Sequence, residues 1–179
     1  MIFRETELKG VYVIEAEPIQ DERGLFSRVW CQREFEAHGL KVVWVQGNVS
    51  SNHRAGTLRG LHYQTAPHGE SKLVRCTSGS LYDVIVDLRP ESPTYLKYLG
   101  IELSSREGKM LFIPEGLAHG FQTMEDHTEV SYLMSAFYEP ESARGVRWND
   151  PIFDIQWPLA VRIISSRDQS YSDYRPLSC

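Results

Sequence analysis

The sequence predicts an all-β fold, organised as a single domain over residues 1–179. Five runs are rich in β-branched and aromatic residues, and clusters of Gly, Pro, Asp, Asn and Ser separate them. Many short strands with frequent turns are typical of a β-sandwich or barrel. A chain of 179 residues is also long enough to bury a substantial core as one domain.

The predicted elements follow the chain in order. Strands are expected at residues 11–15, 42–45, 81–88, 111–113 and 129–134. Turns are expected at residues 21–24, 77–80, 91–93 and 149–151. Residues 33–38 favour a short helix that ends at Gly39, because glycine readily adopts the conformation that closes a helix. Beyond Trp157 and Pro158 the chain becomes polar, and we expect this tail to wrap around the barrel.

Composition excludes several functional classes. A net charge of −5 argues against a nucleic-acid-binding protein, which usually carries a clustered basic face. The three cysteines, Cys31, Cys76 and Cys179, lack Cys-x-x-Cys spacing, which indicates a reducing compartment and no structural zinc. The first residues do not form a signal peptide, and no apolar run has the length of a membrane span. We therefore expect a cytoplasmic protein.

The segment 59–64 contains the chemistry that points most clearly to a function. It carries His62, and Lys72 follows ten residues later in a strand-like run. Histidine changes charge near neutral pH and is suited to removing a proton. A second segment, 113–121, supplies His119. Either histidine taken alone is more often structural than catalytic.

Three further residues complete a candidate proton-transfer site. Lys72 is either an exposed strand lysine or a cation that stabilises negative charge on a substrate oxygen. Tyr132 shares one strand face with Val130 and Met134, so it is either a core tyrosine or a proton donor inside the barrel. Asp168 lies in the polar tail, and its carboxylate could orient His62 if the tail folds back.

A metal site is not favoured. Residues 114–119 resemble the second histidine motif of cupins, but Gln64 stands where a His-x-His pair would require histidine. Two isolated histidines make a poor ligand set, which favours a metal-free site. Asp83 and Asp87 share a strand face, and we favour a solvated or hydrogen-bonded sheet face over an acid–base pair.

Ordered motifs along nearly the whole chain resemble one family. The chain is similar to the RmlC-type dTDP-4-dehydrorhamnose 3,5-epimerases from about residue 3 to residue 175. The matching segments are residues 21–26, 46–48, 59–64, 72–76, 83–89, 92–94, 113–121, 145–151 and 157–158. The resemblance implies a cupin-like jelly-roll barrel with short peripheral helices and a homodimer that exchanges an N-terminal strand. It also implies no metal, no organic cofactor and a nucleotide-linked 4-keto-6-deoxyhexose as substrate.

The resemblance also implies residue roles. His62 would be the base, Asp168 its partner, Tyr132 the acid, and Lys72 the cation at the C4 oxygen. Substrate contacts would come from Arg59 and His119 near the diphosphate and sugar, from Gln46 and Asn48 at the nucleotide, from Arg23 and Phe26 of the partner subunit, and from Arg28, Phe137 and Arg167.

Three positions depart from the family pattern at the nucleotide end. Arg28 and Ala143 stand where the family usually has Glu, and the base-stacking aromatic is Phe137, followed by Tyr138. These changes imply a different base contact, a different nucleotide or a rearranged loop.

Four alternatives remain at this point. The first is a mono-epimerase that acts at C3 or C5 only, and the second is a 3,4-ketoisomerase on the same fold. The third is a non-catalytic sugar-nucleotide-binding barrel, and the fourth is a metal-dependent cupin oxygenase.

Overall fold

Two antiparallel sheets packed face to face form the body of the protein in the computed structural model, which describes residues 1–176. The larger sheet contains, in spatial order, β1 (Ile2–Glu5), β2 (Tyr12–Glu15), β10 (Lys109–Ile113), β7 (Lys72–Ser78), β12 (Thr128–Met134) and β5 (Gln46–Asn52). The smaller contains β13 (Ala143–Gly145), β6 (Leu58–Gln64), β11 (Leu117–Thr123), β8 (Ser80–Asp87) and β9 (Tyr98–Ser104).

The remaining elements are short. The strands β3 (Ile19–Asp21) and β4 (Gly24–Phe26) form a separate hairpin, and the helices are α1 (Gln32–Ala37) and α2 (Ser166–Gln169). The predicted all-β architecture with short peripheral helices is therefore confirmed. Within residues 1–176, no helix has the length and apolar character needed to cross a membrane.

The core lies between the two sheets, and strand alternation explains it. Leu81 and Ile85 of β8 are fully buried against the apolar side chains of the larger sheet, including Val74 and Val130. Val84 of the same strand points the other way, into a second apolar cluster. Because successive strand residues face opposite sides, both faces of this strand are covered.

Each sheet has its own cover on the outside. Phe35 of α1 packs on the larger sheet against Phe112, together with the half-buried Trp44. The C-terminal part of the chain covers the smaller sheet through Phe153 and Trp157. The chain beyond Pro158 also returns to the barrel, as expected, because the Leu58 N–H donates to the Ile163 carbonyl at 2.8 Å and Tyr174 packs against the same cluster as Phe153.

The prediction of a strand at residues 42–45 is wrong. The alternation is real, since Val42 and Trp44 pack inward and Val43 is 73% exposed. The segment nevertheless lies beside α1 without regular secondary structure. Its backbone hydrogen bond to a strand runs from the Val45 N–H to the Met134 carbonyl. Apolar alternation predicts which side chains are buried, but a strand also needs a neighbour that pairs along its length.

The other predicted elements are confirmed with shifted boundaries. The helix covers Gln32–Ala37, and Gly39 follows it with φ of +77°. The expected turn at residues 77–80 is tighter, since β7 reaches Ser78 and β8 begins at Ser80. Gly79, with φ of +71°, makes the connection.

The carboxylate of Asp87 fixes the loop after β8. The side chain is fully buried, and it accepts hydrogen bonds from Arg89, Ser92 and Thr94. Burial by itself would raise the pKa of the Asp87 carboxyl, but these donors outweigh it and lower the pKa to about 2. Asp87 is thus a structural acid, and of the two predicted alternatives, a solvated or a hydrogen-bonded sheet face, the structure shows the second.

Asp87→Asn should therefore destabilise the protein and flatten its acid dependence. A carboxyl whose pKa is lowered by folding stabilises the fold above pH of about 4, and this contribution disappears as the pH falls toward about 2. Its size is about 2 kcal/mol, from a depression of nearly two pKa units. Urea unfolding at pH 7 and at several acid pH values measures it. If the free energy of unfolding changed equally with pH between pH 4 and 2 in the wild type and in Asp87→Asn, this role of Asp87 would be contradicted.

Candidate active site

A cavity of about 820 Å³ lies between the two sheets and under the C-terminal tail. Side chains from β5, β6, β7, β11 and β12 contribute to its wall, as does the segment that carries α2. Nine of the residues predicted from the sequence line it: Gln46, Asn48, Arg59, His62, Lys72, His119, Tyr132, Arg167 and Asp168.

His62 and Asp168 form a close pair in this cavity. The His62 Nε2 atom lies 2.7 Å from Asp168 Oδ1, and the second carboxylate oxygen accepts the Gly60 N–H at 3.2 Å. Ser165 caps α2 by accepting the Asp168 N–H, which orients the short helix. The Asp168 side chain is 6% exposed, whereas that of His62 is 42% exposed and faces the open cavity.

The Asp168 contacts also select the proton position on His62. Burial would raise the pKa of the Asp168 carboxyl, but the hydrogen bond and charge of His62 outweigh it, and the pKa is lowered. The Asp168 carboxylate therefore accepts a hydrogen bond from the ring, and the His62 Nε2 atom carries the proton of that hydrogen bond. This arrangement leaves Nδ1 as the ring nitrogen that can take up a proton.

Lys72 is buried in the cavity wall. Its burial disagrees with the alternative of an exposed strand lysine and supports the alternative of a functional cation. Its Nζ atom donates to the His62 carbonyl at 3.1 Å and lies 3.0 Å from Glu70 Oε1. Glu70 was missed by the sequence analysis. It lies in the loop between β6 and β7, where no periodicity indicates which side chains turn inward.

Tyr132 comes from the sheet opposite to His62. It lies on β12 of the larger sheet and packs beside Val130, as the strand alternation predicted. Burial raises the pKa of the Tyr132 phenol, with a smaller lowering by Arg59 and a smaller increase from Glu70. The phenol is therefore protonated at neutral pH and can donate. One cavity thus has a histidine and a tyrosine on walls from opposite sheets.

His119 forms a second histidine–carboxylate pair. It lies directly across from His62 in the pairing of β6 with β11, and its Nε2 atom is 2.9 Å from Asp83 Oδ1. Close approach of these strands needs Gly60, because a Cβ atom there would lie 2.5 Å from Gly120 Cα. The sequence analysis placed Asp83 on a solvated or hydrogen-bonded sheet face, and it did not find His119 as its partner.

Another part of the cavity wall consists of the amides of Gln46 and Asn48, the guanidinium of Arg167, and Tyr138. Gln46 and Asn48 are joined by a side-chain hydrogen bond of 3.2 Å, and Asn52 accepts from Arg59 at 2.7 Å. Arg167 donates to the Tyr171 hydroxyl at 3.0 Å. The hydroxyls of Tyr138 first and Tyr171 next, both beside the guanidinium, raise the pKa of Arg167.

Of the adjacent aromatic residues 137 and 138, Tyr138 lines the cavity and the predicted Phe137 does not. Phe137 is 70% exposed and lies outside the cavity of its own chain, whereas Tyr138 lines it. Residues 135–138 leave β12 as irregular chain, so strand alternation no longer decides which side chain faces inward.

Three other predicted residues also lie outside this cavity. Arg23 and Phe26 are on the exposed β3–β4 hairpin, where 85% of the Arg23 side chain is accessible and Phe26 is 70% exposed. Arg28 pairs with Glu34 of α1 at 2.9 Å. Within one chain, none of the three reaches the cavity.

Gln64 has a structural role at the position where a metal-binding cupin would have histidine. Its amide donates to the carbonyls of His68 and Phe137, and its oxygen accepts the Glu139 N–H at 2.7 Å. Among residues 1–176 there is no group of three or more His, Cys, Asp or Glu side chains placed to hold a metal. A metal-free reaction remains a prediction.

Comparisons with known proteins point to one family. A family model described as dTDP-4-dehydrorhamnose 3,5-epimerase matches residues 5–175. A dTDP-4-dehydrorhamnose 3,5-epimerase from Shigella flexneri is 43% identical over 164 residues, which cover 91% of this chain and 90% of that protein.

Solved structures agree with this similarity. The crystal structure of dTDP-4-dehydrorhamnose 3,5-epimerase from Bacillus anthracis, with TDP and PPi bound, superposes with a TM-score of 0.94. It is 37% identical, and the match covers 97% of this chain and 99% of that chain. A 3′-monoepimerase from Streptomyces bikiniensis in complex with dTDP-quinovose is 29% identical with a TM-score of 0.87, covering 94% and 85%. The predicted cupin-like jelly roll is confirmed.

Proposed function

Because the chain belongs to the dTDP-4-dehydrorhamnose 3,5-epimerase family, and is an isomerase of that type, we propose that it inverts C3 and C5 of a dTDP-linked 4-keto-6-deoxyhexose in deoxysugar biosynthesis. The observation that carries this proposal is the His62–Asp168 pair facing a cavity whose opposite wall contains Tyr132. Inversion at carbon without a cofactor requires a base on one side of the ring and an acid on the other.

The first step is removal of a proton from carbon. The ketone at C4 acidifies the hydrogens at C3 and C5, and His62 Nδ1 accepts one of them. The electron pair of the broken C–H bond moves toward the ketone oxygen and forms an enolate. Asp168 stabilises the imidazolium that results, and the Lys72 ammonium stabilises the enolate oxygen.

The second step returns a proton to the other face. The Tyr132 hydroxyl donates to the same carbon, the enolate collapses to the ketone, and the configuration is inverted. His62 then releases to solvent the proton that it removed, and the Tyr132 phenolate recovers one from solvent, so that both groups are ready to act at the second carbon. Each proton-transfer group contributes roughly 10²–10⁴ in rate.

The rest of the cavity suits a nucleotide diphosphate. Arg59 and His119 are the candidates for the diphosphate and the adjoining sugar. Gln46, Asn48 and Arg167 are the candidates for the nucleoside, and Tyr138 supplies an aromatic face on the same wall. Arg and amide side chains supply the donors that phosphate and base oxygens require.

The mono-epimerase is the second candidate function. A similar fold is found in the 3′-monoepimerase at 29% identity, against 37% for the Bacillus anthracis 3,5-epimerase when both are compared by structure. The greater identity favours two inversions. A barrel that only binds sugar nucleotides is disfavoured, because it has no need of a buried lysine together with a histidine–carboxylate pair.

We further propose that the active protein is a homodimer with exchanged N-terminal strands. The β3–β4 hairpin exposes Ile19, Leu25 and Phe26 by 66–70% each, and such apolar surface usually marks an interaction site. A second copy that covers this hairpin would bring Arg23, Phe26 and Arg28 of the partner subunit to the nucleotide end of the cavity.

The direct test is conversion of the substrate. The protein is incubated with dTDP-4-keto-6-deoxyglucose, and the product is analysed by NMR for its configuration at C3 and C5. Inversion at both carbons supports the 3,5-epimerase, and inversion at one supports the mono-epimerase. Tight binding without any conversion would contradict catalysis.

His62→Ala should abolish removal of the C3 and C5 hydrogens. The variant lacks the only base that we assign, so turnover should fall by at least about 10²-fold. Hydrogen exchange with D₂O at the two carbons is followed by mass spectrometry, with His68→Ala as the histidine control. Exchange that survives in the His62 variant would refute the assignment of the base.

Tyr132→Phe should separate exchange from inversion. The ring and its packing remain, but the hydroxyl that donates to the opposite face is lost. The variant should still exchange hydrogen with solvent, because His62 can return the proton to the face it came from. Inverted product and exchanged substrate are quantified in the same sample. If both fall equally, Tyr132 serves binding or geometry instead.

A mixed-dimer experiment tests the contribution of the partner. Arg23→Ala should raise KM about tenfold or more through the loss of a charged contact. With substrate well below the wild-type KM, mixing equal amounts of this variant and His62→Ala after unfolding and refolding should restore roughly a quarter of wild-type activity, since half of the dimers are mixed and each has one intact site. Mixtures that show only the sum of the two separate activities would contradict a shared site.

A further inference from the structure

Glu70 is a buried carboxylate at the cavity wall that the mechanism above does not use. Its side chain is 5% exposed, and its Oε1 atom lies 3.0 Å from Nζ of Lys72, whose side chain is 7% exposed. Both residues line the cavity. The ion pair is therefore within the site and largely removed from water.

Stability does not explain this pair. The second carboxylate oxygen of Glu70, Oε2, is buried and has no hydrogen-bond partner among residues 1–176. A buried oxygen without a donor is costly, and buried ion pairs are often no more stable than apolar residues of similar size. Residues that are unfavourable for folding tend to remain where function requires them.

The contacts of Lys72 indicate what Glu70 does. Nζ also donates to the His62 carbonyl at 3.1 Å, so the ammonium lies between the loop carboxylate and strand β6. An ammonium has three donors, and at least one remains for a ligand in the cavity.

We propose that Glu70 is a positioning residue that holds the Lys72 ammonium in place and directed at the substrate oxygen. This inference rests on the proposed function and adds a residue to it. Glu70 acts through Lys72 and does not contact the reacting carbons. Its charge also reaches Tyr132, where it is a minor contributor to the raised pKa of the phenol, behind burial.

The effect should fall on turnover rather than on binding. The bound ketone is neutral at its oxygen, and negative charge develops there only as the enolate forms. An ammonium that is held in place beside this oxygen therefore favours the transition state more than the bound substrate. Loss of such an interaction lowers kcat and leaves KM nearly unchanged.

The test compares Glu70→Gln with Glu70→Asp and Glu115→Gln. Glu70→Gln keeps the side-chain size and removes the charge, and kcat should fall about tenfold or more with KM within about twofold. Glu70→Asp keeps the charge and should lie between the wild type and Glu70→Gln. Glu115→Gln is the matched control, because Glu115 is exposed and contacts the same loop at Gly69, and its kcat should remain within about twofold of wild type.

A second readout follows the ammonium itself. The chain has five lysines, so ¹⁵N-lysine NMR gives few signals, and the Lys72 signal is identified by its loss in Lys72→Met. The wild type and Glu70→Asp should show a slowly exchanging Lys72 ammonium, and Glu70→Gln should lose it. Circular dichroism shows whether Glu70→Gln folds. If it does not, the proposal is tested by whether folded Glu70→Asp keeps the Lys72 ammonium signal.

Several results would overturn the proposal. In the kinetics, these are an unchanged kcat in Glu70→Gln, a change in its KM alone, or an equal loss of kcat in Glu115→Gln. In the NMR spectra, they are an unchanged Lys72 signal in folded Glu70→Gln or loss of that signal in folded Glu70→Asp. The NMR comparison needs no substrate. A wild type that converts no substrate therefore refutes the proposed function, while the Lys72 signals still judge the role of Glu70.

Discussion

The return of the C-terminal tail to strand β6 is the constraint on which the site depends. Asp168 is 106 residues away from His62 in the chain, yet the two are 2.7 Å apart. Ile163 pairs with Thr57 at the start of β6, and the Leu58 N–H donates to the Ile163 carbonyl at 2.8 Å. Beyond α2, the Tyr174 N–H donates to Asp150 at 2.5 Å. These contacts hold the chain on both sides of α2, so the backbone at Asp168 is fixed relative to His62.

The two-sheet architecture supplies the other half of the arrangement. His62 belongs to the smaller sheet and Tyr132 to the larger one, so the cavity between the sheets places them on facing walls. Lys72, beside Glu70, begins the strand that pairs with that of Tyr132. An inverting proton transfer needs this separation of base and acid, and a single sheet face would not provide it. The proposed reaction thus uses a property of the fold as well as of the individual residues.

Sequence reasoning succeeded where information is local or periodic. The chemistry of their side chains singled out His62 and Lys72, which both line the cavity, and alternation along one strand predicted that Tyr132 shares a face with Val130. It failed where the contact depends on tertiary placement. The pairing of Asp83 with His119 crosses 36 positions and two strands. Glu70 and Tyr138 lie on irregular segments without a period to read, and residues 42–45 alternate like a strand without a strand to pair with.

The most direct test of the central claim is solvent deuterium uptake by the wild-type protein. The substrate dTDP-4-keto-6-deoxyglucose is incubated with the enzyme in D₂O, and C3 and C5 are monitored by NMR during the first turnovers. A base at His62 and an acid at Tyr132 predict deuterium at both carbons, with inversion accompanying its uptake. Inverted product that retains the original hydrogen at either carbon, or bound substrate that takes up none, would contradict the account.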